Sequence, residues 1–193
     1  MLRRNMTNSA FKQQGFTLIE LVVVIVLLGV LAAFALPKFS DLSNEAYIAQ
    51  AKGIAGSFQA GVKIVQSVHF SQGLTGRRVQ NLSGYDDGTV DVNEQGFPIG
   101  TDKGNGNSNI GRGNNGCAAV WVAVLSDGAP SVANGNNNQD YRSFRHDSNR
   151  SCSYALRSND DTAGRTQSQI VIRYNSSTGL VDVCGQSSQL PNC

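Results

Sequence analysis

Hydrophobic positions fall into three regimes along the chain. Residues Phe16 to Leu36, FTLIELVVVIVLLGVLAAFAL, are apolar on every side, with Glu20 the one ionisable group. A helix of that length rises about 31 Å, enough to cross the hydrocarbon core of a bilayer. Beyond Pro37 the run becomes a spaced pattern: Tyr47, Ala51, Ile54, Phe58, Val62, Val65 and Val68 recur every three or four residues. This period marks one face of an amphipathic helix, with Asp41, Glu45, Gln50, Lys52, Gln59, Lys63 and Gln66 lying mostly between. Gly73 supplies the stop, which places the helix end near Phe70 or Ser71. Gly29 and Pro37 interrupt the long helix. Glycine costs about 1 kcal/mol against alanine, and proline removes one backbone hydrogen bond. A kink is predicted near Pro37, with residues 30–36 as the stretch poised to loosen.

The third regime is polar, with short apolar runs. Lys103 to Gly116, KGNGNSNIGRGNNG, holds five Gly and five Asn in 14 residues, and residues 133–138 form a second such tract. No Gly-Lys-Ser/Thr follows, so these are turns and not a phosphate-binding loop. Residues 72–116 are expected to form a loop between helix and sheet. Cys117 to Leu125, CAAVWVAVL, reads as a short buried helix or strand bounded by Gly116 and Asp127-Gly128. Strand alternation follows over residues 152–156, 170–174 and 180–184, and Asn175 to Gly179 makes a hairpin loop. The fold class is therefore α+β. A meandering antiparallel sheet of three or four strands packs one face on the amphipathic helix and turns the other outward.

The border between the polar start and the apolar run reads Gln14-Gly15-Phe16-Thr17-Leu18-Ile19-Glu20. A cleaved secretory signal shares the general layout, but this apolar run is longer than the usual core and carries a carboxylate inside it. The border instead resembles the class III signal of the type IV pilins and pseudopilins, with Gly, Phe, the threonine–aliphatic pair and Glu in register. The short leader resembles that of the type IVa subclass. The resemblance implies a type IV pilin fold and cleavage after Gly15 by a membrane prepilin peptidase. It also implies N-methylation of Phe16 and pairing of the Phe16 ammonium with Glu20 of a neighbouring subunit. Gly116-Cys117-Ala-Ala-Val-Trp121 and Cys152-Ser-Tyr154 are further similar to mannose-sensitive haemagglutinin pilins.

The implied organisation is a leader over 1–15, a transmembrane and filament-core helix over 16–37, an amphipathic helix over 38–71 and a head over 72–193. The implied role is a structural filament subunit for attachment, biofilm formation or motility. The rival roles are a type II secretion pseudopilin and a DNA-uptake pilin. Expected partners are further copies of the subunit, the peptidase, the inner-membrane pilus assembly machinery and, before assembly, the membrane itself. The chain would begin as a single-pass inner-membrane precursor and end in an extracellular pilus.

Charge sharpens the picture. Arg3, Arg4 and Lys12, with no acid before Phe16, place the N-terminus on the cytoplasmic side and everything after Leu36 outside. The formal charge of +2 depends on these three; without them 13 basic residues face 14 acidic ones, a net of −1. That balance leaves no electrostatic footprint for nucleic acid. The head arginines, among them Arg142, Arg145, Arg150 and Arg157, interleave with Asp140, Asp147, Asp160 and Asp161.

All four cysteines, Cys117, Cys152, Cys184 and Cys193, follow the membrane segment, and none lies in a C-x-x-C pair. An even count in an exported domain reads as two disulfides, with three possible connectivities. Cys117–Cys152 and Cys184–Cys193 are favoured, the latter closing a short terminal loop around Pro191 of the kind pilins carry. No catalytic constellation and no cofactor motif stands out. His69 and His146 have no nucleophile partner in the local sequence. Asp86, Asp87 and Asp91 gather carboxylates of the kind calcium takes, but the full calcium-loop spacing is absent, and no metal is expected.

Overall fold

A computed structural model describes residues 16–104, 106–111, 113–126, 128–135 and 138–193. The leader, residues 1–15, lies outside the described residues. The elements run α1 (Leu18–Ser71), β1 (Val90–Val92), β2 (Pro98–Thr101), α2 (Gly113–Leu125), β3 (Val132–Ala133), β4 (Tyr141–His146), β5 (Ser151–Leu156), β6 (Val171–Asn175) and β7 (Leu180–Cys184). Two compact units divide the chain, one ending at Asn44 and the other running Glu45–Cys193.

In the first unit α1 is apolar all round. Residues Leu18–Ala35 have a mean hydropathy of 3.0, and none of that window is buried. The helix passes through Gly29 and Pro37 without ending. One hydrogen bond lost at Pro37 leaves the flanking turns intact in a helix of 54 residues.

In the second unit α1 becomes a core element. Ile48, Ala51, Ala55, Phe58, Val62 and Val65 are buried along one face, and Tyr47, Ile54 and Val68 are half-buried beside them. The helix ends at Ser71, and the following turn is closed by Leu74 N–H donating to the His69 carbonyl, with Gly73 at φ +70°. Phe58 is the hub of the core. Its ring lies 5.6 Å from Trp121, 5.7 Å from Tyr154 and 5.4 Å from Tyr174, in edge-on or tilted contacts. Each polar tip on these aromatics finds a backbone carbonyl. Trp121 Nε1 donates to Pro130, Tyr154 Oη to Cys117 and Tyr174 Oη to Pro98. Such burial of a large ring with a satisfied tip retains the hydrophobic gain without the cost of a stranded donor.

The segment 117–125 is helix, part of α2, and it crosses close to α1 at Gly61. A Cβ there would sit 2.6 Å from both Val124 Cγ1 and the Val124 carbonyl oxygen, so a side chain would push the two helices apart.

The sheet corrects two expectations. It has five strands in the order β3-β4-β5-β6-β7, antiparallel throughout except for β3, which pairs parallel to β4. Residues 72–116 also contain structure: β1 and β2 form a separate antiparallel pair, with Val90 and Val92 fully buried. At three and four residues these strands are too short to carry a periodic signal in the sequence. The outer face of the larger sheet is not simply open. Every residue of β5 is buried, and Ala155, Val171 and Cys184 form a small cluster there against Phe144 and Cys193. The C-terminal segment folds back over this face. Gln186 N–H donates to Ser168, Ser187 N–H to Gln169, and Gly185 N–H to Pro191.

The described cysteines are all paired, Cys117 with Cys152 and Cys184 with Cys193. The first bond ties α2 to β5 and the second holds the C-terminal segment to β7. The loops they close differ, with sequence separations of 35 and 9 residues. On a chain-entropy account the longer is worth about 4 kcal/mol and the shorter about 2.5 kcal/mol. Replacing both members of each pair by alanine is therefore expected to lower the urea midpoint more for Cys117/Cys152 than for Cys184/Cys193. The reverse order would show that native contacts, and not loop closure, dominate.

Candidate functional site

The first described residues carry a compact polar arrangement on an otherwise apolar helix. Thr17 precedes the first helical residue, and its carbonyl accepts the Leu21 N–H, as a helix N-cap does. Its hydroxyl accepts the Glu20 N–H at 3.3 Å. Glu20 reaches back in turn, its Oε2 accepting the Thr17 N–H and the Thr17 hydroxyl, each at 2.8 Å. Thr17-Leu18-Ile19-Glu20 is thus a reciprocal capping box. The S/T-x-x-E pattern before an apolar run is legible in the sequence itself. Capping gives Glu20 a structural task, which is to start the helix at a defined residue. A carboxylate has about four acceptor sites, so two bonds on Oε2 leave capacity for a cation.

Phe16 is 88% exposed, and Leu18 to Leu31 present apolar surface on all sides. Gly29 has nothing near its missing side chain, so its environment gives no packing reason for glycine there. In a bilayer this surface meets hydrocarbon. The segment is long and apolar enough to insert in a bilayer or to pack against other apolar helices.

The candidates in the second unit behave differently. Asp87 accepts from Thr89 N–H and Thr89 Oγ1, bonds that hold its carboxyl below the usual range. Asp91 is fully buried and accepts the Asn81 and Lys103 backbone N–H groups at 2.9 and 2.7 Å. Its carboxylate is a backbone fastener, and among the described residues no group of three or more His, Cys, Asp or Glu could hold a metal ion. Side-chain cations organise the Gly/Asn-rich loop. Lys103 Nζ donates to the carbonyls of Asn107 and Asn109, and Arg145 to those of Ile110 and Gly111.

His69 is buried at the end of α1, its Nε2 2.7 Å from the Arg77 carbonyl. His146 gains partners that local sequence did not reveal. Nε2 is 2.8 Å from Ser153 Oγ and Nδ1 is 2.9 Å from Asp147 Oδ2. That is the connectivity of a nucleophile, a base and an acid. Ser153 is only 1% exposed, however, so no substrate carbonyl reaches its hydroxyl. Burial pushes the His146 pKa down against the pull of Asp147, which favours a neutral imidazole bridging two strands.

The comparisons point to the N-terminal segment. The family model for the prokaryotic N-terminal methylation motif matches residues 10–36. That places the polar leader, the capping box and the apolar helix in one recognised unit. Over 53 residues the chain is 47% identical to the type IV major fimbrial protein of Dichelobacter nodosus, covering 27% of this chain and 30% of that one. It is 44% identical over 50 residues to a fimbrial protein of Eikenella corrodens, covering 26% and 33%. Against the major component of the narrow type IV pilus of Thermus thermophilus it is 42% identical over 53 residues, covering 28% and 46%.

The segment resembles the N-termini of type IV pilins.

The match spans about a third to a half of the length of these relatives. No solved structure matches the chain. The matched segment is joined to an α+β layout of a long N-terminal helix, a second helix and mainly antiparallel sheets, consistent with a pilin fold.

Proposed function

We propose that the chain is the structural subunit of a type IV pilus. The observation that carries this reading is the methylation motif over residues 10–36, which takes in an apolar helical window, Leu18–Ala35, none of which is buried. A helix of that kind needs either lipid or other helices around it.

The sequence of events follows from the chemistry. The precursor is held in the membrane by its helix, basic leader inside. A prepilin peptidase hydrolyses the bond after Gly15, and the new Phe16 amine is methylated. A carboxylate in hydrocarbon costs about 2.5–3.5 kcal/mol on insertion scales and therefore seeks a partner. The Phe16 ammonium of a neighbour supplies one, which neutralises both charges and sets the axial register of the stack. The stems then exchange lipid contacts for contacts with one another, and loosening near Gly29 and Pro37 would let them adjust length. The heads form the shell. The relatives named as fimbrial and pilus major components support this polymeric role, and the finer likeness to mannose-sensitive haemagglutinin pilins suggests attachment. Assembly machinery in the inner membrane would supply the work, since no nucleotide site is evident in the sequence.

The test is electron microscopy of filaments sheared from cells, with N-terminal sequencing of their subunit. N-methylphenylalanine followed by Thr17-Leu18-Ile19-Glu20 is expected. Absence of this chain from the filaments, or a mature start elsewhere, would overturn the reading.

A further inference from the structure

The capping box at the head of α1 directly follows the bond that leader removal would break. We infer that Thr17 is a positioning residue for that cleavage. By starting the helix at Leu18 it keeps the Gly15–Phe16 bond out of the helix, where a peptidase can reach it. The inference rests on the reading of the chain as a precursor cut after Gly15.

In an α-helix each N–H donates to the carbonyl four residues back. A helix continued one turn toward the N-terminus would direct the Ile19 N–H to the Gly15 carbonyl, which belongs to the bond to be cut. The Glu20 N–H would go to the Phe16 carbonyl. Three hydrogen bonds oppose that continuation. The Glu20 N–H donates instead to the Thr17 hydroxyl at 3.3 Å. The Thr17 N–H, which a longer helix would commit to the carbonyl of residue 13, donates to Glu20 Oε2 at 2.8 Å. The Thr17 hydroxyl donates to the same oxygen at 2.8 Å, which holds it in the capping position. The helix then opens with Leu21 N–H on the Thr17 carbonyl, and Phe16 and Thr17 stay outside it.

Amide hydrolysis needs a nucleophile at the carbonyl carbon and donors aimed at the oxygen as charge develops there. A carbonyl bonded inside a helix has its oxygen occupied and its faces crowded by the next turn. An unwound segment offers both, and Phe16 is 88% exposed. The stop matters because α1 is a single helix of 54 residues, and a helix already nucleated adds residues cooperatively. Glycine at position 15 acts in the same direction, since it is a poor helix former.

Cleavage of the full-length precursor by a purified prepilin peptidase in detergent micelles tests this, with leader release followed by mass spectrometry. Thr17→Ser and Thr17→Asn, which supply alternative caps, should be cut within about 2-fold of wild type. Thr17→Val keeps the branched shape without the hydroxyl, and its kcat/KM should fall about 5-fold. Glu20→Gln and Glu20→Ala both retain the bond from the residue-20 N–H to the Thr17 hydroxyl and should be cut normally. Backbone carbon shifts of residues 14–17 in the uncut precursor should move toward helical values in Thr17→Val and stay put in Thr17→Ser. Wild-type cleavage of Thr17→Val, slow cleavage of Thr17→Ser, or slow cleavage of Thr17→Val with unchanged shifts would overturn the inference and leave the pilin reading standing. A wild-type precursor left whole, or cut elsewhere than after Gly15, would overturn the pilin reading and this inference with it.

Discussion

Glu20→Ala is expected to leave membrane insertion and leader cleavage intact while reducing filament yield about 100-fold. Insertion depends on the remaining apolar residues, and removing a charge eases it. Assembly suffers because the Phe16 ammonium of each incoming subunit then enters hydrocarbon unpaired. At about 2.5–3.5 kcal/mol per charge this is a factor of roughly 100 in each association step. The capping box requires a second variant to separate two causes. Glu20→Gln retains a side chain able to accept from Thr17, since glutamine serves in capping boxes, but it has no charge. Thr17→Ala breaks the box and keeps the carboxylate. If charge pairing controls assembly, Glu20→Gln should fail like Glu20→Ala and Thr17→Ala should fall only a few-fold. Quantitation of sheared filaments against total processed subunit decides it, and wild-type yield from Glu20→Gln would end the pairing argument.

Phe58→Ala is expected to destabilise the folded second unit by about 3–5 kcal/mol. Phe58 has no exposed surface, and its ring is shared by Trp121, Tyr154 and Tyr174. These three are tied to backbone carbonyls through their own polar tips, so they are poorly placed to move inward and fill the void. The loss corresponds to a fall in melting temperature of roughly 10 °C for a domain of this size. Ile64→Ala serves as the control, because Ile64 is 55% exposed on the same helix and should change stability by less than about 0.5 kcal/mol. Thermal unfolding of the full chain in detergent, followed by Trp121 fluorescence, measures both. Equal melting temperatures would mean that the aromatic cluster repacks.

Sequence periodicity recovered much of this architecture because the long elements are governed by their own composition. The amphipathic face of α1 was predicted from its spacing, and β5, β6 and β7 were each placed to within a residue or so. The losses came where no local pattern exists. β4 puts Ser143 on the core side and His146 on the other, which blurs alternation, although both are bonded or packed in place. Gln59 looked like a solvated amide on the polar face. In the fold it donates to the Gly179 carbonyl and accepts the Val181 N–H, closing the free edge of β7 against α1. No feature of residue 59 alone announces that, since the partners lie 120 and 122 positions away.

The N-terminal segment lay open to sequence reading to an unusual degree. Gly15, Phe16 and Glu20, the apolar run and the basic leader form one contiguous pattern, and the N-terminal methylation family model matches it over residues 10–36. The capping box belongs to the same pattern. Tertiary structure decided what no local pattern holds: the disulfide pairing among the three possible, the two backbone N–H groups that Asp91 accepts, and the place of Ser151 beside residues of β6 and β7. These depend on strand register and burial, which bring together groups remote in the chain. Energies set by distance and exposure do not exist until the chain has folded.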